Sequence, residues 1–128
     1  MIHRILLDQL KESLFKGKTL VLLGPRQSGK TTLLEMLSHE INEKVLLLDC
    51  DEPDIRRELT DASSTQLKQR TANAKVVMID EAQRVKDIGI TLKLFHDKLK
   101  DVQLIVTGSS ALELTGETLT QPAWASED

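Results

Sequence analysis

Residues 24–31 read Gly24-Pro25-Arg26-Gln27-Ser28-Gly29-Lys30-Thr31, a GxxxxGK[ST] pattern. What flanks the pattern decides its meaning. Thr19-Leu20-Val21-Leu22-Leu23 runs into it as a continuous apolar segment, as a buried parallel strand does. Thr32-Leu33-Leu34-Glu35-Met36-Leu37 leaves it with apolar residues at helical spacing. A glycine loop between strand and helix can curl successive backbone N–H groups around phosphate oxygens, and Gly24 and Gly29 permit dihedrals that a side chain forbids. The helix start adds unpaired N–H groups and the positive end of a dipole. Gly24, Pro25, Arg26, Gln27, Ser28, Gly29, Lys30, Thr31 and Thr32 are therefore expected to bind phosphates. Lys30 is expected to reach the β- and γ-phosphates and the Thr31 hydroxyl to hold Mg²⁺. The competing reading, a chance match in a glycine turn, leaves the strand and helix on either side unexplained.

Downstream, Val76-Val77-Met78-Ile79 runs straight into Asp80-Glu81. An aspartate at the end of a buried strand beside a phosphate loop holds Mg²⁺, directly or through water. A second acid next to it can orient and deprotonate a water. Alone this run reads as a strand ending in a solvated turn; after a phosphate loop it reads as a site. A further strand, Val102 to Val106, ends in Thr107-Gly108-Ser109-Ser110. Ser109 at its tip is a candidate for sensing the γ-phosphate or positioning the water, although by itself the segment reads as a turn.

The rest of the chain supplies scaffold. Ile2, Ile5, Leu6, Leu10, Leu14 and Phe15 recur at steps of three and four, one face of an amphipathic helix with Gly17 as its stop. Val45 to Leu48 reads as another buried strand, followed by the acids Asp49, Asp51, Glu52 and Asp54. Pro53 suits a first helical turn, so those acids read as helix-start and solvated groups rather than catalytic ones. Residues 54–72 read as one or two polar surface helices, and Leu92, Phe95 and Leu99 mark another helix. Beyond Gly116 the apolar pattern fades, and Pro122 and the closing Ser-Glu-Asp read as a frayed tail containing Trp124. Strands alternate with helices, so the expected fold is α/β, a parallel sheet with helices on both faces and a ligand beyond the C-terminal ends of the strands.

Composition bounds the alternatives. The chain has 128 residues, enough for one domain, and only 2% aromatic residues, so its core must be aliphatic. A net charge of −3 gives no sign of a nucleic-acid surface. The single cysteine, Cys50, cannot form an intrachain disulfide, and the three histidines show no paired ligand spacing. No apolar run is long enough to span a membrane, and Asp8, Lys11 and Glu12 interrupt the N-terminal apolar residues where a signal peptide would be continuous. The expected compartment is cytoplasmic.

GPRQSGKTTLL, VVMIDEAQRV and LIVTGSSALEL, in this order, resemble the N-terminal core of a bacterial and archaeal family of AAA-type P-loop ATPases with a C-terminal DUF4143 region. The likeness runs to about Leu114. It implies ATP as the nucleotide, Mg²⁺ as the cofactor and a sheet order of 5-1-4-3-2. It also implies that Gly24 to Thr31 form the Walker A loop, that Asp80 and Glu81 are the Walker B acids and that Ser109 is the sensor. Gln83 and Arg84 match the family's DE-x-QR pattern without a role derivable from sequence. From Glu117 onward the chain is expected to depart from the family. Residues 1–116 would then be a truncated ATPase core and 117–128 a disordered tail. The fifth strand would be missing, the loop strand left on an open edge, and the arginine that touches the γ-phosphate absent.

Two functions follow. One is Mg²⁺-dependent ATP hydrolysis coupled to a conformational change, with Lys30, Glu81 and Ser109 as the catalytic set and Thr31 and Asp80 on the metal. The other is a nucleotide-holding module with little hydrolysis that needs a partner chain or a second copy. A GTPase is disfavoured because the chain has no Asn-Lys-x-Asp motif, and a small-molecule kinase because it has no arginine-rich lid.

Overall fold

The computed structural model describes residues 2–25, 29–109, 112 and 119–120, with the backbone alone for Ile2, His3, Leu119 and Thr120. The expected site residues Arg26, Gln27 and Ser28 therefore lie outside the described residues, as does Trp124. Helix α1 spans Ile2–Glu12, strand β1 Thr19–Leu23, α2 Lys30–Glu40 and β2 Val45–Asp49. Helices α3, Pro53–Leu59, and α4, Ser64–Thr71, lead to β3, Val76–Asp80. A 3₁₀ turn at Ala82–Arg84, helix α5 at Ile88–Lys98, β4 at Gln103–Gly108 and β5 at Leu119–Thr120 complete the order.

Every strand pairing is parallel, and the sheet order is β2-β3-β4-β1-β5. Read from the other edge this is 5-1-4-3-2, the order implied by the family resemblance. The fifth position corrects the sequence reading, which leaves it empty and the loop strand on an open edge. Thr19 pairs with Leu119 and Leu20 with Thr120, so part of β1 is covered on its outer side. A two-residue strand needs only backbone N–H and C=O groups facing the edge and carries no apolar periodicity, so it leaves no sequence signal. For these two residues the expected tail is a strand; residues 117–118 and 121–128 lie outside the described residues.

Successive strand residues alternate between the two faces, as the pleat requires. Val21, Val77, Ile79, Leu104 and Val106 face one core with Leu59, Leu67, Leu92 and Phe95 from α3, α4 and α5. Leu20, Leu22, Val76, Met78 and Ile105 face the other, with Leu7, Leu10, Leu33, Leu34 and Leu37 from α1 and α2. Each such side chain contributes roughly 1.5–3 kcal/mol by leaving water, so both faces hold the strand ends in place.

Two elements differ from expectation for packing reasons. Helix α1 ends at Glu12, before Leu14 and Phe15, and it buries Leu7 and Leu10 while Ile5 stays 59% exposed. Leu6 and Leu14 pack against the same core, so the inward face is the expected stripe turned towards Leu7. Strand β2 is an edge strand, so Leu47 is exposed and Val45 and Leu46 are half-buried rather than enclosed.

Candidate nucleotide site

Strands β1, β4 and β3 end side by side, which brings Gly24, Gly108–Ser109 and Asp80–Glu81 to one rim. The Gly24 N–H donates to the Gly108 carbonyl at 3.0 Å, so β1 remains tied to β4 as the loop begins. The loop closes at Gly29, whose φ of 94° and ψ of 4° lie in the left-handed region. A side chain there would be strained, and glycine adopts that conformation without cost. Gly29 precedes α2 and supplies no side chain to cap the first-turn N–H groups. That end of the helix thus keeps its N–H donors and positive dipole for a ligand.

Lys30 is only 8% exposed, and its ammonium donates to the Gly24 carbonyl at 2.7 Å and the Pro25 carbonyl at 2.6 Å. A buried ammonium must be hydrogen-bonded to be tolerated, and here the loop's own carbonyls hold it under the loop. Thr31 and Thr32 follow in the first turn of α2, both exposed. The Thr31 hydroxyl donates to Oδ2 of Asp80 at 2.7 Å. The other carboxylate oxygen of Asp80 accepts from the Thr107 hydroxyl, and the Thr107 oxygen accepts from the Glu81 N–H at 3.0 Å. Asp80, Glu81 and Thr107 are all buried. Loop helix, β3 and β4 are therefore joined through two hydroxyls on one carboxylate.

Glu81 takes φ 57° and ψ 47°, the left-handed region again, now with a full side chain. Non-glycine residues held this way cost about 1–2 kcal/mol and cluster at functional sites. Oε1 of Glu81 accepts from the Gln83 amide at 2.8 Å, and Oε1 of Gln83 accepts from the Ser109 N–H at 3.1 Å. Arg84 pairs with Asp51 at 3.0 Å, joining the turn after β3 to the end of β2.

The oxygen donors suit Mg²⁺. Thr31 and Asp80 offer a hydroxyl and a carboxylate in direct contact, the one or two protein oxygens that Mg²⁺ accepts when phosphates and water complete its shell. Among the described residues there is no cluster of three or more His, Cys, Asp or Glu side chains that could form a metal site on its own. Three of the four acids at the end of β2 have partners: Asp49 accepts from the Asp51 N–H at 2.9 Å, Asp51 pairs with Arg84, and Asp54 pairs with Arg57. Burial, then the negative charges of Asp49, Asp80 and Asp51, pushes the Cys50 thiol up to about 12. Cys50 is thus a neutral core side chain.

Of the residues expected from sequence, Lys30, Thr31, Asp80, Glu81 and Ser109 converge on the rim, with Gly24, Pro25 and Gly29 in the loop and Thr32 beside it. Sequence reasoning missed Thr107 and left Gln83 and Arg84 without partners. A threonine ending the apolar run of β4 was the only signal for the first. The others depend on which strand lies next to β3.

A parallel sheet of this order, with a glycine loop leading into a helix beside two acids, defines a nucleotide-binding domain of the P-loop NTPase class. A family model described as "AAA domain" matches residues 16–125, and the chain belongs to that family. The match extends past Leu114, where the resemblance read from sequence stops. Uncharacterized proteins of Mycobacterium bovis and Mycobacterium tuberculosis are each 28% identical over 109 residues, 84% of this chain and 23% of theirs. The hemin import ATP-binding protein of Vibrio anguillarum is 31% identical over 106 residues, 80% of this chain and 39% of its own length. The chain thus spans well under half the length of these relatives. Among solved structures, a Pif1 helicase from a study of DNA unwinding at forked duplexes superposes with a TM-score of 0.57 at 14% identity, over 84% of this chain and 32% of that one. The Thermotoga maritima RuvB Holliday junction branch migration motor gives 0.56 at 18% identity, over 93% and 42%. A DNA replication initiation factor gives 0.55 at 16% identity, over 91% and 44%. At these identities the likeness is one of fold. No helix among the described residues is long and apolar enough to cross a membrane.

Proposed function

We propose that this domain binds ATP with Mg²⁺ and hydrolyses its γ-phosphate, and that hydrolysis drives a conformational change. The observation that carries the reading is the hydrogen-bonded chain from exposed Thr31 through buried Asp80 and Thr107 to Glu81, at the mouth of the loop that holds Lys30. Thr31 and Asp80 would hold the metal, which would supply positive charge against the phosphates. The Lys30 ammonium turns from the Gly24 and Pro25 carbonyls to the phosphates, a short movement of a flexible side chain. The first-turn N–H groups of α2 face the same charge. Glu81 takes a proton from a water as its oxygen bonds to the γ-phosphorus. The bond from phosphorus to the bridging oxygen breaks, and ADP leaves with its electrons.

The test is Glu81→Gln, which keeps the shape and loses the base. Nucleotide affinity by calorimetry should stay within about twofold, while turnover should fall by about 10²–10⁴, the usual contribution of a general base. Unchanged turnover would return Glu81 to a structural turn.

A specific observation also supports the second reading, in which the isolated chain turns over slowly and depends on a partner. An arginine on the γ-phosphate contributes about 10³–10⁵ in rate. Arg84 is engaged by Asp51, no arginine follows it in the 128 residues, and Arg26 in the loop is the other arginine that could act in cis. Slow turnover that rises steeply with protein concentration is expected on this view; fast turnover independent of concentration would remove it.

A further inference from the structure

We propose that Gln83 is a positioning residue for Glu81, locking its carboxylate to the backbone at the tip of β4; this rests on the reading of Glu81 as the water-activating base. The amide has only one orientation that works. Its N–H end meets Oε1 of Glu81 at 2.8 Å, and its oxygen meets the Ser109 N–H at 3.1 Å. A carboxylate only accepts and a backbone N–H only donates, so the flipped amide would oppose both partners. The two bonds make Gln83 a rigid strut between the turn after β3 and the end of β4.

Two backbone features serve this one contact. The left-handed backbone of Glu81 starts the 3₁₀ turn that carries Gln83 back over the rim. Gly108 leaves room for it: a Cβ there would stand 3.1 Å from Oε1 of Gln83 and 2.9 Å from Cδ2 of Leu112. The second distance is closer than carbon atoms pack, so a side chain at 108 would push Leu112 and the amide aside. Strand β4 already holds Asp80 through Thr107. With Gln83 in place, the same strand holds both acids, and Glu81 must follow any displacement of Ser109.

Any hydrogen-bonding side chain adds stability, so the experiment must separate positioning from folding. The 128-residue chain would be assayed by single-turnover hydrolysis of radiolabelled ATP·Mg²⁺, with nucleotide affinity by calorimetry and Tm alongside. Gln83→Ala should lower the rate about 10–100-fold, the scale of loss when a reacting group is misplaced by an ångström, with affinity within about twofold of wild type. Gln83→Glu keeps the volume but sets acid against acid, and should lose at least as much. In a Glu81→Gln background, Gln83→Ala should cost nothing further, because the group it positions is gone. A rate unchanged or raised in Gln83→Ala, a parallel loss of affinity and rate, or an equal loss in the Glu81→Gln background would each overturn the proposal. If Glu81→Gln alone leaves turnover intact, the underlying reading fails and this one with it. If Glu81→Gln abolishes turnover while Gln83→Ala does not slow it, the positioning role alone is lost.

Discussion

At the N-terminal ends of the strands, Gln103 is buried and uses its whole amide on main chain. It donates to the Lys18 carbonyl at 2.8 Å and the Leu104 carbonyl at 3.0 Å and accepts from the Phe15 N–H at 2.6 Å. At the C-terminal ends, buried Asp80 is held by the side-chain hydroxyls of Thr31 and Thr107, which can rotate away. Both ends bury polar groups, yet the first is neutral and satisfied by fixed backbone while the second is charged and satisfied by movable partners. A cavity of about 440 Å³ lies at the N-terminal end, lined in part by Phe15, Lys18, His96 and Gln103. At the C-terminal end, buried charge with exchangeable hydrogen bonds marks the candidate chemistry.

Four substitutions test that contrast, in descending order of effect. Lys30→Ala should weaken ATP affinity about 100-fold or more, since hydrogen bonds to charged groups are worth about 1.5–3 kcal/mol each. Equal affinities by calorimetry would remove the lysine from the site. Gln103→Leu, at the other end, should cost about 1–3 kcal/mol of folding stability by leaving backbone groups unpaired while nucleotide affinity stays unchanged; a drop in affinity would show that the two ends are coupled. Thr107→Val keeps the shape of β4 and removes one hydroxyl from Asp80. Its Mg²⁺ requirement for nucleotide binding should rise about tenfold, the equivalent of one hydrogen bond of about 1.4 kcal/mol, and a Mg²⁺ titration identical to wild type would argue against it.

The smallest effect is expected far from both ends, where Arg4 and Lys11 of α1 meet Glu40 of α2 at 2.6 and 3.0 Å. The Arg4 hydrogen bond, then that of Lys11, holds the Glu40 carboxyl down to about 2. A depressed carboxylate stabilises the fold above its ordinary value of 4.5 and loses that contribution as pH falls towards about 2. The group is exposed, so the gain is screened. Glu40→Gln should lower Tm slightly at pH 7 in low salt, and the difference should shrink in high salt and below pH 3. A salt-independent deficit would instead point to packing between α1 and α2.

The strands, the glycine loop between β1 and α2 and the two acids at the end of β3 were legible because each is a local pattern: an apolar run, a glycine spacing, an acid at a strand end. What was not legible depends on neighbours. Thr107 matters because β4 lies beside β3, with Ile79 opposite Val106, and no local pattern encodes that adjacency. Gln83 and Arg84 could be singled out by family pattern, but their partners Glu81, Ser109 and Asp51 come from three different strand ends. Of the face read on α1, Leu6, Leu10 and Leu14 pack into the core while Ile5 stays exposed, and Leu7 joins them because contact with α2 and the sheet sets how far the helix is turned. The short fifth strand pairs through backbone alone, which composition does not register.

Among the described residues, Glu81 is one of five non-glycine residues with positive φ, and the only one of the five that is a buried carboxylate. Glycine at that position would relieve the backbone strain and remove a buried acid, and would add about 1 kcal/mol of stability on the first count alone. It would also delete the proposed base. A screen that selects variants by heat resistance, blind to turnover, should therefore enrich glycine at 81 and return robust but inactive proteins. If Glu81 is the base proposed above, stability and activity pull this single position in opposite directions, and an effort to harden the domain would have to leave it strained.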